Sequence, residues 1–155
     1  MTKTNAARIL DQQKIPYELI PYEVDENDLS ATTVALKIGQ DINSVFKTLV
    51  LRGDKTRVIT ALIPGGDELD LKKTAKVSGN KSVEMVAMKE ILELTGYIRG
   101  GCSPIGMKKK YPIFVHNSCL EYKYIFISAG TRGLQMKIIP QDLVKITQAQ
   151  VTDLV

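Results

Sequence analysis

Tryptophan is absent, histidine occurs once and cysteine twice among the 155 residues. A lone His116 excludes a metal centre built from several histidines, and any His–Ser or His–Cys catalytic pair would have to use it. It lies in IFVHN and reads as an ordinary strand residue. Cys102 and Cys119 have no metal-ligand spacing and are too few for a disulfide framework. Both are expected as free thiols of a reduced, cytoplasmic protein. No apolar run approaches the roughly 20 residues that cross a bilayer, and the first ten residues, MTKTNAARIL, lack the apolar core of a secretory signal. A P-loop pattern is missing, and GGCSPIG does not fit a dinucleotide fingerprint after a strand. Carboxylates cluster in DENDL and GGDELDL, which read as solvated loops and not as an acid–base pair.

The remaining composition is ordinary for a globular protein, with 44% hydrophobic and 25% charged residues. Length allows one domain, 1–155, with a substantial core. Basic residues exceed acidic ones, 21 − 17 = +4, which suits an anionic partner without demanding one. TNAARILDQQK reads as an amphipathic helix capped by Thr4, and YELIPYEV as an extended segment kept near a sheet edge by Pro21. TTVALKIG is a second helix, capped by Ser30 or Thr32 and closed by Gly39. SVFKTLVL and TRVITALIP form a hairpin about RGDK. A helix follows between Asp70 and Gly79, then a short strand in SVEMVA and a helix in MKEILELTG. Residues 96–112 form a loop; IFVHN, KYIFISA and GLQMKII are strands, and PQDLVKITQ is a final helix opened by Pro140. Strands and helices mix without a βαβ rhythm, which predicts an α+β domain.

Three features depart from this plain pattern. Lys47 interrupts the apolar run of NSVFKTLVLRG, where burial of an unpaired ammonium costs several kcal/mol. Either the strand lies at an edge and the amine reaches water, or the amine points into a cavity that needs a positive charge. RGGCSPIG places Gly100, Gly101 and Gly106 around Pro104, so that backbone N–H groups can approach a ligand. FISAGTRG runs a strand into the small-residue turn Ser128-Ala129-Gly130, with Arg132 and Gly133 beyond it.

In order along the chain, YE, VFKTLV, LDLKK, GGCSPIGMKKK and ISAGTRGL resemble the YbaK-type Cys-tRNA(Pro) deacylases of the YbaK/EbsC family. These are free-standing relatives of the editing domain of bacterial prolyl-tRNA synthetases. The resemblance runs from near Tyr17 to the last helix. It implies a single compact domain with a mixed, partly barrel-like sheet surrounded by helices. It also implies hydrolysis of the ester that joins a wrongly attached amino acid to the 3′ end of tRNA, with no cofactor and no metal. Lys47 would sit at the centre of the pocket for the terminal adenosine and its aminoacyl group. Tyr22, Thr48, Gly101 and Ser128 would line that pocket, and the family's GxxxP element corresponds to Gly100 through Pro104. Gly101 and its neighbours would offer amides to a developing oxyanion.

The implied partners are mischarged tRNA(Pro) and prolyl-tRNA synthetase, with no DNA and no membrane. Lys108, Lys109 and Lys110, together with Lys72, Lys73 and Lys76, are candidate phosphate contacts, or simply solvated lysines. Two departures touch the expected pocket: Gln135 stands where the family commonly has an acidic residue, and Leu29 or Ser30 where many members have phenylalanine. Cys102 reads as a small loop residue. A sister deacylase acting on Ala-tRNA(Pro) with activated water, and a non-catalytic tRNA- or synthetase-binding regulator, are the alternative readings.

Overall fold

A computed structural model describes residues 3–155. Met1 and Thr2, which open the stretch judged for a secretory signal, lie outside the described residues. No helix among the described residues is long and apolar enough to cross a membrane.

Helix α1 (Asn5–Gln12) opens where the Thr4 hydroxyl accepts the Ala7 N–H at 3.2 Å, and it buries Ala6, Ala7 and Leu10. Strand β1 (Tyr17–Pro21) follows, then α2 (Ala31–Ile38), capped by Ser30 and closed by Gly39 at φ +70. The predicted hairpin is β2 (Phe46–Gly53) with β3 (Arg57–Pro64), paired antiparallel so that Lys47 faces Ile63 and Thr48 faces Leu62. Helix α3 (Leu71–Ser78) starts at an Asp70 cap. Short strand β4 (Val83–Met85) follows, and a 3-10 turn leads into α4 (Ile91–Thr95). Beyond the irregular segment 96–112 come β5 (Ile113–His116), β6 (Ile125–Thr131), β7 (Leu134–Ile138), α5 (Pro140–Thr147) and β8 (Gln150–Thr152).

Two sheets result. One has the order β1-β7-β6 and is antiparallel; the other, β4-β2-β3-β5-β8, is mixed because β5 runs parallel to both β3 and β8. They do not close into a barrel. An isolated parallel bridge between Val45 and Phe126 joins them, and α2 covers that seam with Ala35 against both residues. Strand β3 is buried on both faces, which accounts for its unbroken apolar run. Leu62 enters one core with Leu10, Ile127 and Met136, whereas Ile59, Ala61 and Ile63 enter a second with Ala75 and Leu154.

Strand β8 was not foreseen from QAQVTDLV. Three residues are too few for periodicity to register, and the strand exists through its neighbour β5. His116, at the end of β5, accepts the Leu154 N–H on Nδ1 at 3.1 Å. It is a buried strand residue that fixes the C-terminal segment.

Candidate active site

Where the two sheets meet, the chain leaves a cleft of about 350 Å³. Its floor is the start of β2, with Lys47 and Thr48; its walls are the N-terminal turn of α2, Gly65 after β3, Ser128 of β6, Gln135 of β7 and the segment around Gly100 and Cys102. Period two places Lys47 on the face of Leu49 and Leu51, but at the seam end of the strand. The lysine is half-buried, and its Nζ donates to the Gly65 carbonyl at 3.1 Å. No carboxylate of the described residues pairs with it. Of the three ammonium donors one is used within the described residues, and the side chain lines the cleft. Of the two alternatives for Lys47, the geometry matches the second in that the side chain lines a cavity.

Two buried oxygens deepen this polarity. Among the described residues Thr48 Oγ1 and Gln135 Oε1 have no hydrogen-bond partner, although Gln135 is only 6% exposed. A buried polar atom left unpaired costs about 1–3 kcal/mol, and both residues line the cleft. Ser128 lies directly opposite Gln135 across the β6–β7 ladder, and the register shifts between Ser128 and Thr131. Gly130, at φ +109, takes this bulge, and its N–H donates to Ser128 Oγ at 3.2 Å. Such bulges re-aim side chains beside functional sites.

None of the residues lining the cleft is Asp, Glu or His. Cys102 brings a thiol to the wall, but burial pushes its pKa up to about 11, with a Thr95 hydrogen bond opposing in part. It is a neutral thiol near pH 7, not an activated nucleophile. The cleft thus offers positive charge and hydrogen-bonding groups without a side-chain base.

Lys47, Thr48, Gly100 and Ser128 come together as expected residues of one site. Other candidates do not. Gly101 does not line the cleft, and its N–H donates to the Ile98 carbonyl at 3.0 Å. It is glycine for packing: a Cβ there would stand 3.0 Å from the Thr131–Arg132 backbone. Tyr22 does not line the cleft; its N–H extends the β1 ladder to the Gly133 carbonyl at 2.9 Å. Pro104 lies on the far side of its loop, in a separate hollow of about 200 Å³ that Lys109 and Lys110 border.

The lysine candidates also fall outside the cleft. Lys73 bonds within the protein, to Asp153 at 2.8 Å and to the Val155 carbonyl at 2.6 Å. Lys110 donates to Gln148 Oε1 at 2.7 Å, while Lys72, Lys108 and Lys109 are exposed. Arg99 at the rim and Gln135 in the wall are among the lining residues not predicted as ligand contacts. Gln135 was visible only as a departure from a family pattern; Arg99 gave no signal beyond its place beside the paired glycines.

Residues 25–146, which contain every wall of the cleft, match the family model described as the aminoacyl-tRNA editing domain, and the chain belongs to that family. Among its relatives is an Enterococcus faecalis protein provisionally named Cys-tRNA(Pro)/Cys-tRNA(Cys) deacylase EbsC. It is 47% identical over 152 residues, covering 98% of this chain and 93% of that protein. A proline–tRNA ligase of Thermosipho melanesiensis is 26% identical over 131 residues, covering 77% of this chain but only 23% of the ligase. A solved structure described provisionally as a trans-editing enzyme for prolyl tRNA synthetase superposes with a TM-score of 0.84 at 25% identity. That match covers 99% of this chain and 98% of the other.

Proposed function

We propose that this chain is a trans-editing deacylase that removes cysteine from mischarged tRNA(Pro), with the aminoacylated terminal adenosine held in the Lys47 cleft. The carrying observation is an ammonium at the cleft floor whose one hydrogen bond among the described residues is to a carbonyl, beside two buried oxygens without partners there. Family membership and the 47% identical relative support the substrate class. An association with prolyl-tRNA synthetase belongs to the same proposal, as does a cytoplasmic location.

Chemistry follows from what the cleft contains. An aminoacyl ester is already activated, so positioning and charge suffice where an amide would need more. The lining holds no Asp, Glu or His to activate a water, which suits the substrate-assisted route that the family resemblance implies, with the cysteine thiol as nucleophile. The bound cysteine's sulfur bonds to its own carbonyl carbon and the bond from that carbon to the ribose oxygen breaks. The thiol proton passes to the released ribose hydroxyl, and a cyclic thiolactone leaves. Lys47 holds a ribose or phosphate oxygen and stabilises negative charge as it develops. Amide donors to the oxyanion would come from Gly100 or Cys102, which line the cleft, and not from Gly101. Thr48 Oγ1 and Gln135 Oε1 accept from the donors of the aminoacyl group or ribose.

Selectivity then has a chemical origin. Pocket fit alone discriminates about 10–200-fold per methylene, whereas alanine and proline have no thiol to cyclise. Incubation of the protein with tRNA(Pro) charged with cysteine, alanine or proline tests this. Rapid loss of cysteine alone is expected, with thiolactone as first product. Equal loss of alanine would transfer the assignment to a water-based deacylase, and stability of all three esters would remove the enzymatic reading.

A further inference from the structure

We propose that Arg99 is a positioning residue that grips the phosphate preceding the terminal nucleoside of an RNA 3′ end at the rim of the Lys47 cleft; this rests on the deacylase reading above. Arg99 and Lys47 are the two cations in the lining, one exposed at the rim and one half-buried at the floor. No carboxylate of the described residues pairs with Arg99, and the lining holds no acid to neutralise it.

The backbone that carries this side chain is fixed. Arg132 Nε donates to the Arg99 carbonyl at 2.8 Å, while Arg132 Nη1 pairs with Glu26 Oε2 at 2.9 Å. The rim is thereby tied both to the β6–β7 turn and to the loop ahead of α2. Gly100 tightens the same point: at φ +84, a Cβ would meet Leu29 Cδ1 at 3.2 Å and Arg132 Nε at 3.3 Å. A free guanidinium on an anchored backbone is suited to bidentate capture of a phosphate.

Size places that phosphate. A volume of about 350 Å³ is near the lower end for small-molecule pockets, ~300–1,000 Å³. A hollow of that size suits one nucleoside with its acyl group better than two nucleotides. The phosphodiester leading to the penultimate nucleotide must therefore cross the rim, where Arg99 stands. Lys47 serves the reacting end and Arg99 the entering strand.

The test compares wild type, Arg99→Gln and Arg99→Lys on two substrates, Cys-tRNA(Pro) and phosphate-free 3′-cysteinyl adenosine, across a salt series. With tRNA, Arg99→Gln should raise KM several-fold and leave kcat near wild type. It should also flatten the slope of log KM against log salt by about 0.7, the value for one phosphate on a single strand. Arg99→Lys should recover the slope, and on cysteinyl adenosine the KM difference between variant and wild type should largely vanish. An unchanged slope, or an equal KM penalty on both substrates, would overturn the phosphate assignment while the deacylase reading stands. Inactivity of the wild type on both substrates would overturn that reading and this proposal with it.

Discussion

At the residue scale, the cleft is defined by groups whose bonding is incomplete. Lys47 spends one donor on Gly65, and Thr48 and Gln135 each keep a buried oxygen unpaired. Ser128 is by contrast partly committed to Gly130. Cys102 shares the wall but not the chemistry. Its thiol, and that of Cys119, are held neutral by burial, each with a pKa pushed up to about 11. A raised thiol pKa favours the folded state fully below the unfolded value of 9.0, and this contribution is lost as pH rises from there toward 11. Iodoacetamide labelling read by mass should accordingly leave both cysteines unmodified at pH 8 in the native protein. Both should label after unfolding in urea. Fast native labelling of Cys102 at pH 8 would show an activated thiol and reopen it as a nucleophile.

Elements explain why some of this was legible in advance and some was not. The β2–β3 hairpin could be read because both strands are long and apolar and the turn is RGDK. Lys47 stood out against that same background, and the caps at Thr4, Ser30 and Asp70 follow from local chemistry alone. Gln135 could not be placed from its neighbours, because its position opposite Ser128 depends on a register that shifts at a bulge. Pro104 and Gly100 are four residues apart, yet the loop turns them into different hollows. Gly101 was noticed as a candidate amide donor, whereas the task visible in the fold is packing. Its small size lets the 96–112 loop lie against the β6–β7 turn, so Gly101→Ala should cost about 1–3 kcal/mol through overpacking against backbone. Urea denaturation would measure this, and an unchanged midpoint would mean that the loop is not packed as described.

On the scale of the whole molecule, the site is a product of incomplete closure. Two sheets meet through one bridge, Val45 to Phe126, and α2 seals one side of the seam. The other side stays open with a cation at its floor. Burying an unpaired ammonium costs several kcal/mol, and that cost is kept down by the solvent access that a substrate would displace. The net charge of +4 is modest for an RNA-binding protein, and Lys73 and Lys110 are engaged within the protein. On the proposed reading, recognition would concentrate at the cleft and its rim, with the remainder of the RNA left to a partner. The α+β class and the mixed sheet followed from the sequence pattern. Closure did not, because it depends on contacts between distant strands.

The central claim is that Lys47 is present to meet a ligand and not to support the fold. Single-turnover deacylation of Cys-tRNA(Pro) by wild type, Lys47→Ala and Lys47→Arg, with thermal unfolding of each, tests it most directly. Both variants should lose activity by a factor of at least about 100, in the range for removal of one preorganised charge-stabilising group. Both should unfold within a few degrees of wild type. Arginine should fail because a planar guanidinium does not replace a compact ammonium. Turnover near the wild-type rate by either variant, or loss of activity accompanied by loss of the fold, would contradict the account.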